Sequence, residues 1–365
     1  MGLQAVKIDK PLPRRVEVDA PGADAEEAWS NAAKNTAIDI GYGFVKLFLG
    51  QQGIRFPSVV GRGRELNYFS PLSKNNQPLD NLQVYINGQD YFVGNLAIRQ
   101  SELASRSLEQ NRAADPNAKI LLLTAVGLLS QWEDQKFNLV TGFPTSYYAI
   151  YSKEWVRELT GQYSIQLRQN GQLKPKKFSL REVCVIPQPF GTLYDQMLNT
   201  IGNIINQELG EMLVGIVDIG YKTTDYAVAD RLEFIEHLSS STTTGLASVH
   251  RLLAGFLQKN FNLEKQDFEL DEIVETGTVR VAGKVQDLSG IRDEFFAAIA
   301  RKIINEISSR WDYRQFDIIL LTGGGGEALA QYIIPHFPNM VLVDDAQYAN
   351  ARGFQKLANK LFDTA

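Results

Sequence analysis

The tetrapeptide Asp-Ile-Gly-Tyr occurs twice, in AIDIGYGFVK from Ala37 and in GIVDIGYKTTDYAV from Gly215, with Asp39 and Asp218 179 positions apart. Each copy follows a short apolar run. An apolar strand entering Asp-x-Gly sets a carboxylate at the strand end, and glycine lets the next backbone amides turn sharply and approach a ligand. Successive N–H groups in such a turn form an anion-binding concavity. Two such corners facing each other would clamp a polyphosphate from both sides. Asp39 and Asp218 would then hold a divalent cation, which takes oxygen ligands and keeps several waters. The same letters also describe a plain strand terminus with an Asx turn. The hydroxyls of Thr223 and Thr224 and the acid Asp225 beside the second copy favour the ligand reading. Lys46 and Lys222, each within seven residues of its aspartate, are either phosphate contacts or solvated lysines.

Around these corners the chain reads as a duplicated α/β unit. TAIDIGYGFVKLFLG and GIRFPSVVG alternate like antiparallel strands, and LQVYINGQDYFVG is a hairpin turning at Asn87-Gly88. A helix is expected over Pro116–Trp132, then the strand FNLVTGFP. A second helix is expected over Tyr194–Leu209, with Leu198, Ile201, Ile204 and Ile205 on one face. The second corner opens a new strand set, followed by the helical stretches TTTGLASVHRLLAGFL and Arg292–Trp311, the latter with Phe295, Ile299, Ile303 and Ile307 four apart. FDIILLTGGGGEALAQYI is strand, glycine turn and helix; NMVLVDD is a last strand and ANARGFQKLANKLF a last helix. Nothing repeats at the period of a solenoid.

The glycine run Gly323–Gly326 permits a flat ligand to lie on backbone near a helix N-terminus. It also satisfies a relaxed dinucleotide pattern, Gly323-x-Gly325-x-x-Ala328, with Asp344 and Asp345 about twenty residues on. An NAD-binding enzyme is therefore a competing reading, although it leaves both Asp-Ile-Gly-Tyr corners without a role. No Gly-Lys-Ser/Thr of a P-loop occurs, and three scattered histidines exclude a His-rich metal site.

A net charge of −5 argues against generic nucleic-acid binding. The single cysteine, Cys184, allows no intrachain disulfide and reads as a structural thiol of a reducing compartment. The longest apolar block, Ile120–Leu129, is about half of a membrane span, and Met1–Lys10 lacks the apolar core of a signal peptide. The expected location is the cytoplasm, with no membrane contact. Residues 1–35, rich in Pro, Ala and acidic groups, read as a flexible extension with a helical turn or two near Ala25–Ala33.

In chain order, the corner DIGYGFVK, the connector VIPQPFGTLY, the corner VDIGYKTTDY, the glycine run LLTGGGGEAL and the connector ANARGFQKL resemble the actin/DnaK/sugar-kinase superfamily. RFPSVVG, YFVGNLA and VTGFPTSYY add a closer similarity to the actin-like ATPases of the ParM/StbA and archaeal-actin group. The resemblance covers most of residues 36–360. It implies an α/β, actin-like fold of two duplicated RNase H-like lobes with a nucleotide cleft between them. Lobe I would span 36–193 and receive the C-terminal helix 347–365; lobe II would span 194–346. It further implies ATP or ADP with Mg²⁺ in the cleft, slow hydrolysis, and self-assembly into nucleotide-dependent filaments for plasmid or DNA segregation or a prokaryotic cytoskeleton. A DNA-binding adaptor would be a partner.

Carried over by position, Asp39 and Asp218 would organise Mg²⁺, mainly through waters. Gly41, Tyr42 and Gly43 with Lys46, and Gly220, Tyr221, Lys222 and Thr223 with Thr224, would grip the phosphates. Gln188 would orient the attacking water with electrostatic support from Asp218. Gly323, Gly324 and Gly325 would face the adenosine, and Glu327 the base or ribose. The pair Tyr221-Lys222 departs from the smaller residues of actin and DnaK relatives at the second loop. A phosphotransferase of the sugar-kinase branch, or a non-hydrolysing scaffold tethered through RGFQKLANKLF, are the other branches the resemblance leaves open.

Overall fold

The computed structural model describes residues 33–49, 51–66, 78–106, 111–112, 114–169 and 172–362. The helical turn expected near Ala25–Ala33 lies outside the described residues except at its last position, where Ala33 is irregular.

The first half of the chain builds one large mixed sheet from β1 (Lys34–Ile40), β2 (Phe44–Leu49), β3 (Gln52–Pro57), β4 (Val59–Arg62), β5 (Leu82–Ile86), β6 (Gln89–Val93), β7 (Ser105–Arg106), β8 (Gln135–Phe143), β9 (Gly161–Gln169) and β10 (Gln172–Pro187). Their spatial order is β3-β2-β1-β8-β10-β9-β5-β6-β4-β7. The second half builds β11 (Leu213–Ile219), β12 (Thr224–Asp230), β13 (Glu233–Phe234), β14 (Ser240–Thr242), the separate hairpin β15 (Thr278–Val281) and β16 (Lys284–Asp287), β17 (Ile318–Thr322) and β18 (Met340–Leu342). Here the order is β13-β12-β11-β17-β18, with β14 on β12. The helices are α1 (Asn95–Gln100), α2 (Pro116–Leu129), α3 (Thr145–Leu159), α4 (Phe190–Met197), α5 (Leu246–Phe261), α6 (Asp271–Thr276), α7 (Ser289–Arg310), α8 (Gly323–Ile333) and α9 (Ala349–Phe362).

The duplication is visible in the pairing. β1 pairs antiparallel with β2 and parallel with β8; β11 pairs antiparallel with β12 and parallel with β17. Each corner is therefore the turn of a hairpin whose first strand lies against a parallel neighbour. Both first strands are buried at their ends, from Ala37 to Ile40 and from Val214 to Ile219, as strands covered on both faces must be. The Asn87-Gly88 hairpin is as expected, with both residues at positive φ (49° and 84°).

α2 starts where Pro116 occupies the first turn and Asp115 accepts a hydrogen bond from the Asn117 N–H at 2.9 Å. From Ala118 to Leu129 its apolar residues are buried all round except the half-buried Leu128, because it lies under the first sheet among Ile38, Leu47, Leu82 and Phe137. It ends at Leu129, short of Trp132. α7 follows its expected stripe at Ile299, Ile303 and Ile307, and Phe296 rather than Phe295 is the buried aromatic.

The helix expected over Tyr194–Leu209 is overturned. α4 runs only Phe190–Met197. Beyond it Asn199 Oδ1 accepts from the N–H groups of Ile201 and Asn203, Gly202 takes φ 80°, and the Ile205 N–H bonds back to the Met197 carbonyl. This local asparagine hub outcompetes the helix. Ile201, Ile204 and Ile205 consequently face solvent, and only Leu198 is buried.

α4 and α9 cross at glycines. A Cβ on Gly353 would lie 1.7 Å from the Gly191 carbonyl oxygen. Arg352 and Lys356 of α9 both pair with the buried Asp195 of α4. α9 thereby packs against β1 and β8 of the first sheet as well as α4, while β18 precedes it in the second.

Candidate functional site

The two corners are built alike. Gly41 donates its N–H to the Phe44 carbonyl at 3.0 Å, and Gly220 donates its N–H to the Thr223 carbonyl at 2.9 Å. They also meet: a Cβ on Gly43 would come within 3.0 Å of the Tyr221 Cβ. Between them opens a cleft of about 550 Å³, lined by Gly41–Phe44 and Lys46 from the first corner and by Asp218, Gly220, Tyr221 and Thr223 from the second.

The glycine run forms the third wall. Gly323, Gly324, Gly325 and Glu327 line the cleft. The glycines are the first four residues of α8 rather than a loop before it. Gly323 sits at φ 83°, and a Cβ there would fall 2.4 Å from Asp218 Oδ1; one on Gly325 would fall 2.5 Å from the Ile219 side chain. These glycines let the N-terminus of α8 press against the second corner. The wall continues through Val274, Glu275, Arg292, Asp293, Phe296, Ala328 and Gln331, a mixture of apolar surface and hydrogen-bonding groups. Gln347, bonded to the Arg55 guanidinium, completes it.

Three carboxylates lie buried at the floor. Asp39 is 1% exposed and stands just behind the lining; Lys46 Nζ donates to its Oδ2 at 3.1 Å and Gln188 Nε2 to its Oδ1 at 3.0 Å. Asp218 accepts from Asn350 Nδ2 at 2.7 Å. Its carboxyl is pushed up to about 7, first by burial, then by the like charge of Asp225, against the pull of Lys46, with Asp39 adding to the repulsion. Asp225 accepts from the Thr145 N–H at 2.8 Å, the Ser241 hydroxyl at 2.5 Å and the Thr223 hydroxyl at 3.1 Å. Burial also raises Asp225, and those hydrogen bonds oppose the rise.

Most residues singled out in the sequence converge here, but not all do so in the same way. Gln188 lines the cleft. Thr223 lines it with its hydroxyl given to Asp225, whereas the Thr224 hydroxyl donates to the Thr244 carbonyl at 2.7 Å and lies outside the lining. The Lys222 ammonium stands 5.0 Å from the Tyr42 ring centroid, also outside the lining. Among the described residues no group of three or more His, Cys, Asp or Glu side chains forms a metal cage. Asp218 lines the cleft and Asp39 stands buried behind it, and one or two carboxylates with waters are a common way of holding Mg²⁺ beside phosphate.

Several residues of the site carried no sequence signal as site residues. Arg112, 2% exposed, lines the cleft and touches Gln188. Asn350, on the first turn of α9, reaches Asp218. Arg106 of β7 crosses to the other half, its Nη2 2.8 Å from Asp271 Oδ2 and its guanidinium 4.1 Å from the Tyr221 ring centroid. Only Asn350 stood inside a quoted motif, ANARGFQKL.

Residues 37–191 match the family described as actin-like proteins, N-terminal domain, and residues 216–333 match the archaeal actin homologue MreB-like family, C-terminal. The chain belongs to the actin-like proteins. Among solved structures, the subunit of a 15-stranded ParM filament from Clostridium botulinum superposes with a TM-score of 0.76 at 24% identity, over 90% of this chain and 100% of that one. The archaeal actin homologue Ta0583 in complex with ADP gives 0.72 at 18% identity, over 90% and 99%. The apo pSK41 ParM protein gives 0.67 at 21% identity, over 91% and 98%. No curated protein matches the sequence. The two-lobed actin-like fold expected from the motifs is thus the fold of this chain. No helix among the described residues is long and apolar enough to cross a membrane.

Proposed function

We propose that this protein binds and slowly hydrolyses Mg-ATP between its two lobes and assembles into filaments whose stability follows the nucleotide state. The observation that carries the reading is the pair of like-built corners, Gly41–Phe44 and Gly220–Thr223, meeting at Gly43 and Tyr221 over Asp39 and Asp218. A tight hairpin turn beside a buried carboxylate on each side is what a phosphate chain with a bound cation needs. The ADP complex of Ta0583 and the filament of the Clostridium botulinum ParM support it by likeness of fold.

In this reading Gly41–Gly43, Lys46 and Gly220–Thr223 hold the phosphates. Gly323–Gly325 and Glu327 face the nucleoside, whose base reaches Val274, Glu275 and Phe296. Mg²⁺, when bound, neutralises phosphate charge; the raised carboxyl of Asp218, crowded by Asp225 and Asp39, suits a cation there. Gln188 orients water, since an amide takes no proton at neutral pH, and hydrolysis is mainly positioning and charge stabilisation. Lobe I comprises 36–193 with 347–365, and lobe II comprises 194–346. Closure of the lobes on triphosphate and loosening on diphosphate supplies the two-state element that assembly reads. The work of the filament is DNA segregation or a cytoskeleton in the cytoplasm, with an adaptor for cargo.

The test is pelleting, light scattering and electron microscopy with ATP, ADP and no nucleotide, beside phosphate release. Polymer formed with ATP and lost as ADP accumulates is expected. Turnover that needs a small hydroxylated substrate and no polymer would instead place the protein with the phosphotransferases. Thermal stabilisation by NAD but not by ATP would overturn the proposal. Asp218→Ala should abolish hydrolysis and weaken Mg-nucleotide binding, while Gln188→Ala should slow turnover and leave binding nearly intact.

A further inference from the structure

We propose that Arg112 is a positioning residue for hydrolysis, fixing the Gln188 side-chain amide so that its carbonyl oxygen is the group offered to the attacking water. The inference rests on the ATP-hydrolysing reading of the cleft and adds a residue to it.

The Gln188 amide, in a residue only 8% exposed, is held at both ends. Its Nε2 donates to Asp39 Oδ1 at 3.0 Å, and its Oε1 accepts from Arg112 Nη2 at 3.4 Å. An ionised carboxylate only accepts and a guanidinium only donates. The amide therefore has one satisfied orientation. Turned over, it would press its NH₂ against the guanidinium and its oxygen against the carboxylate, two repulsive contacts in a buried place.

Arg112 is itself fixed. Nη1 donates to the Gly142 carbonyl at 2.9 Å, and the guanidinium carbon lies 5.4 Å from the Tyr42 ring centroid and 5.5 Å from that of Phe143. Phe143 also anchors the glutamine backbone, since its carbonyl accepts the Gln188 N–H at 2.7 Å. The arginine thus braces the end of β8 and the glutamine that follows β10 as one unit.

The chemical consequence follows from lone pairs. An amide oxygen carries two; Arg112 engages one and leaves the other for a water O–H. At 3.4 Å the bond is longer than usual, leaving room to tighten when water and phosphate fill the cleft. Without the arginine, the Asp39 contact alone orients the amide, and a group that must accept from water would spend part of its time presenting hydrogens.

The test measures ATP turnover and Mg-ATP affinity for wild type, Arg112→Met, Arg112→Lys, Gln188→Ala and the double variant Arg112→Met/Gln188→Ala. Arg112→Met is expected to lower kcat roughly tenfold to a hundredfold, with Kd changed by less than about threefold. Arg112→Lys, which keeps a donor, should recover most of the turnover. In the Gln188→Ala background the Arg112→Met change should cost nothing further, because its effect passes through the glutamine. Equal losses in both backgrounds, no loss in either, or a loss explained entirely by weaker nucleotide binding would overturn the inference. If Arg112→Met does not fold, Arg112→Gln in both backgrounds decides by the same criteria. Absence of ATP turnover in wild type would sink the function proposed above, and this inference with it. Normal wild-type turnover with equal losses in both backgrounds would sink the role of Arg112 alone.

Discussion

Asn350 donates to the Asp218 carboxylate at 2.7 Å from a position 132 residues further along the chain. Its Oδ1 accepts at the same time from the Thr192 N–H at 3.1 Å and the Thr192 hydroxyl at 2.8 Å. One buried amide thus ties the second corner to α4 and to the first turn of α9.

Replacing that amide should be felt in stability and in binding. Asn350→Leu removes a bond to a carboxylate and one acceptor from each Thr192 donor, whose N–H keeps the Pro189 carbonyl at 3.0 Å and whose hydroxyl keeps the Thr322 hydroxyl at 2.9 Å, a loss of about 2–3 kcal/mol. It also removes a contact that holds the Asp218 carboxyl down, so Mg-ATP affinity near neutral pH should fall. Denaturant unfolding and titration calorimetry measure the two effects, and affinity unchanged beside a lost unfolding increment would refute the link to Asp218.

The raised carboxyl of Asp218 makes a pH prediction with a definite sign. Its folded-state value of about 7 lies above the ordinary aspartate value of 3.8, so between those values the folded protein holds a proton that the unfolded chain has lost. This group therefore lowers stability as pH rises through the window, by up to about 1.4 kcal/mol per pH unit, and contributes no slope above it. Without nucleotide, Asp218→Asn should be more stable relative to wild type at pH 7.5 than at pH 4. A difference that is constant across that range would contradict the assignment.

Two glycine-to-alanine changes should move in opposite directions. Gly353→Ala places a methyl 1.7 Å from the Gly191 carbonyl oxygen at the crossing of α4 and α9, and should cost about 3 kcal/mol or more. Gly255→Ala, within α5 and with nothing within 4 Å of the new Cβ, should stabilise by about 0.5–1 kcal/mol. Thermal melting of both variants checks the pair.

The cross-cleft pair Arg106–Asp271 joins β7 to α6 with the arginine side chain 2% exposed. Asp271→Ala leaves that buried cation with Asp267 at 3.7 Å as its nearest carboxylate, and should destabilise by about 3 kcal/mol. Arg106→Met/Asp271→Leu should recover much of the loss. A cleft held by this pair should also open in the single variant, seen as a larger radius of gyration by solution scattering without nucleotide.

What was legible in the sequence was local. The corners could be read because Asp-Ile-Gly-Tyr after an apolar run has few ways to fold, and both copies make the same N–H to carbonyl turn. The Asn87-Gly88 hairpin and the stripe of α7 were legible for the same reason, since turn residues and periodicity act over one or two turns. The isoleucines after α4 show the limit. Their spacing suits a helix, but Asn199 captures two backbone N–H groups, and the Asn359 side chain, 159 positions away, holds the Thr200 carbonyl at 2.7 Å.

The sequence by itself determined the duplicated α/β plan, the two acidic corners and the glycine run, because each depends on backbone geometry set by neighbouring residues. Only the tertiary structure decided that Arg112 faces Gln188, that Asn350 reaches Asp218, that Thr224 turns away from the cleft, and that Arg106 crosses it. Those outcomes depend on long-range packing of strands and helices, where a side chain's partner is set by which backbones lie side by side and not by the letters next to it.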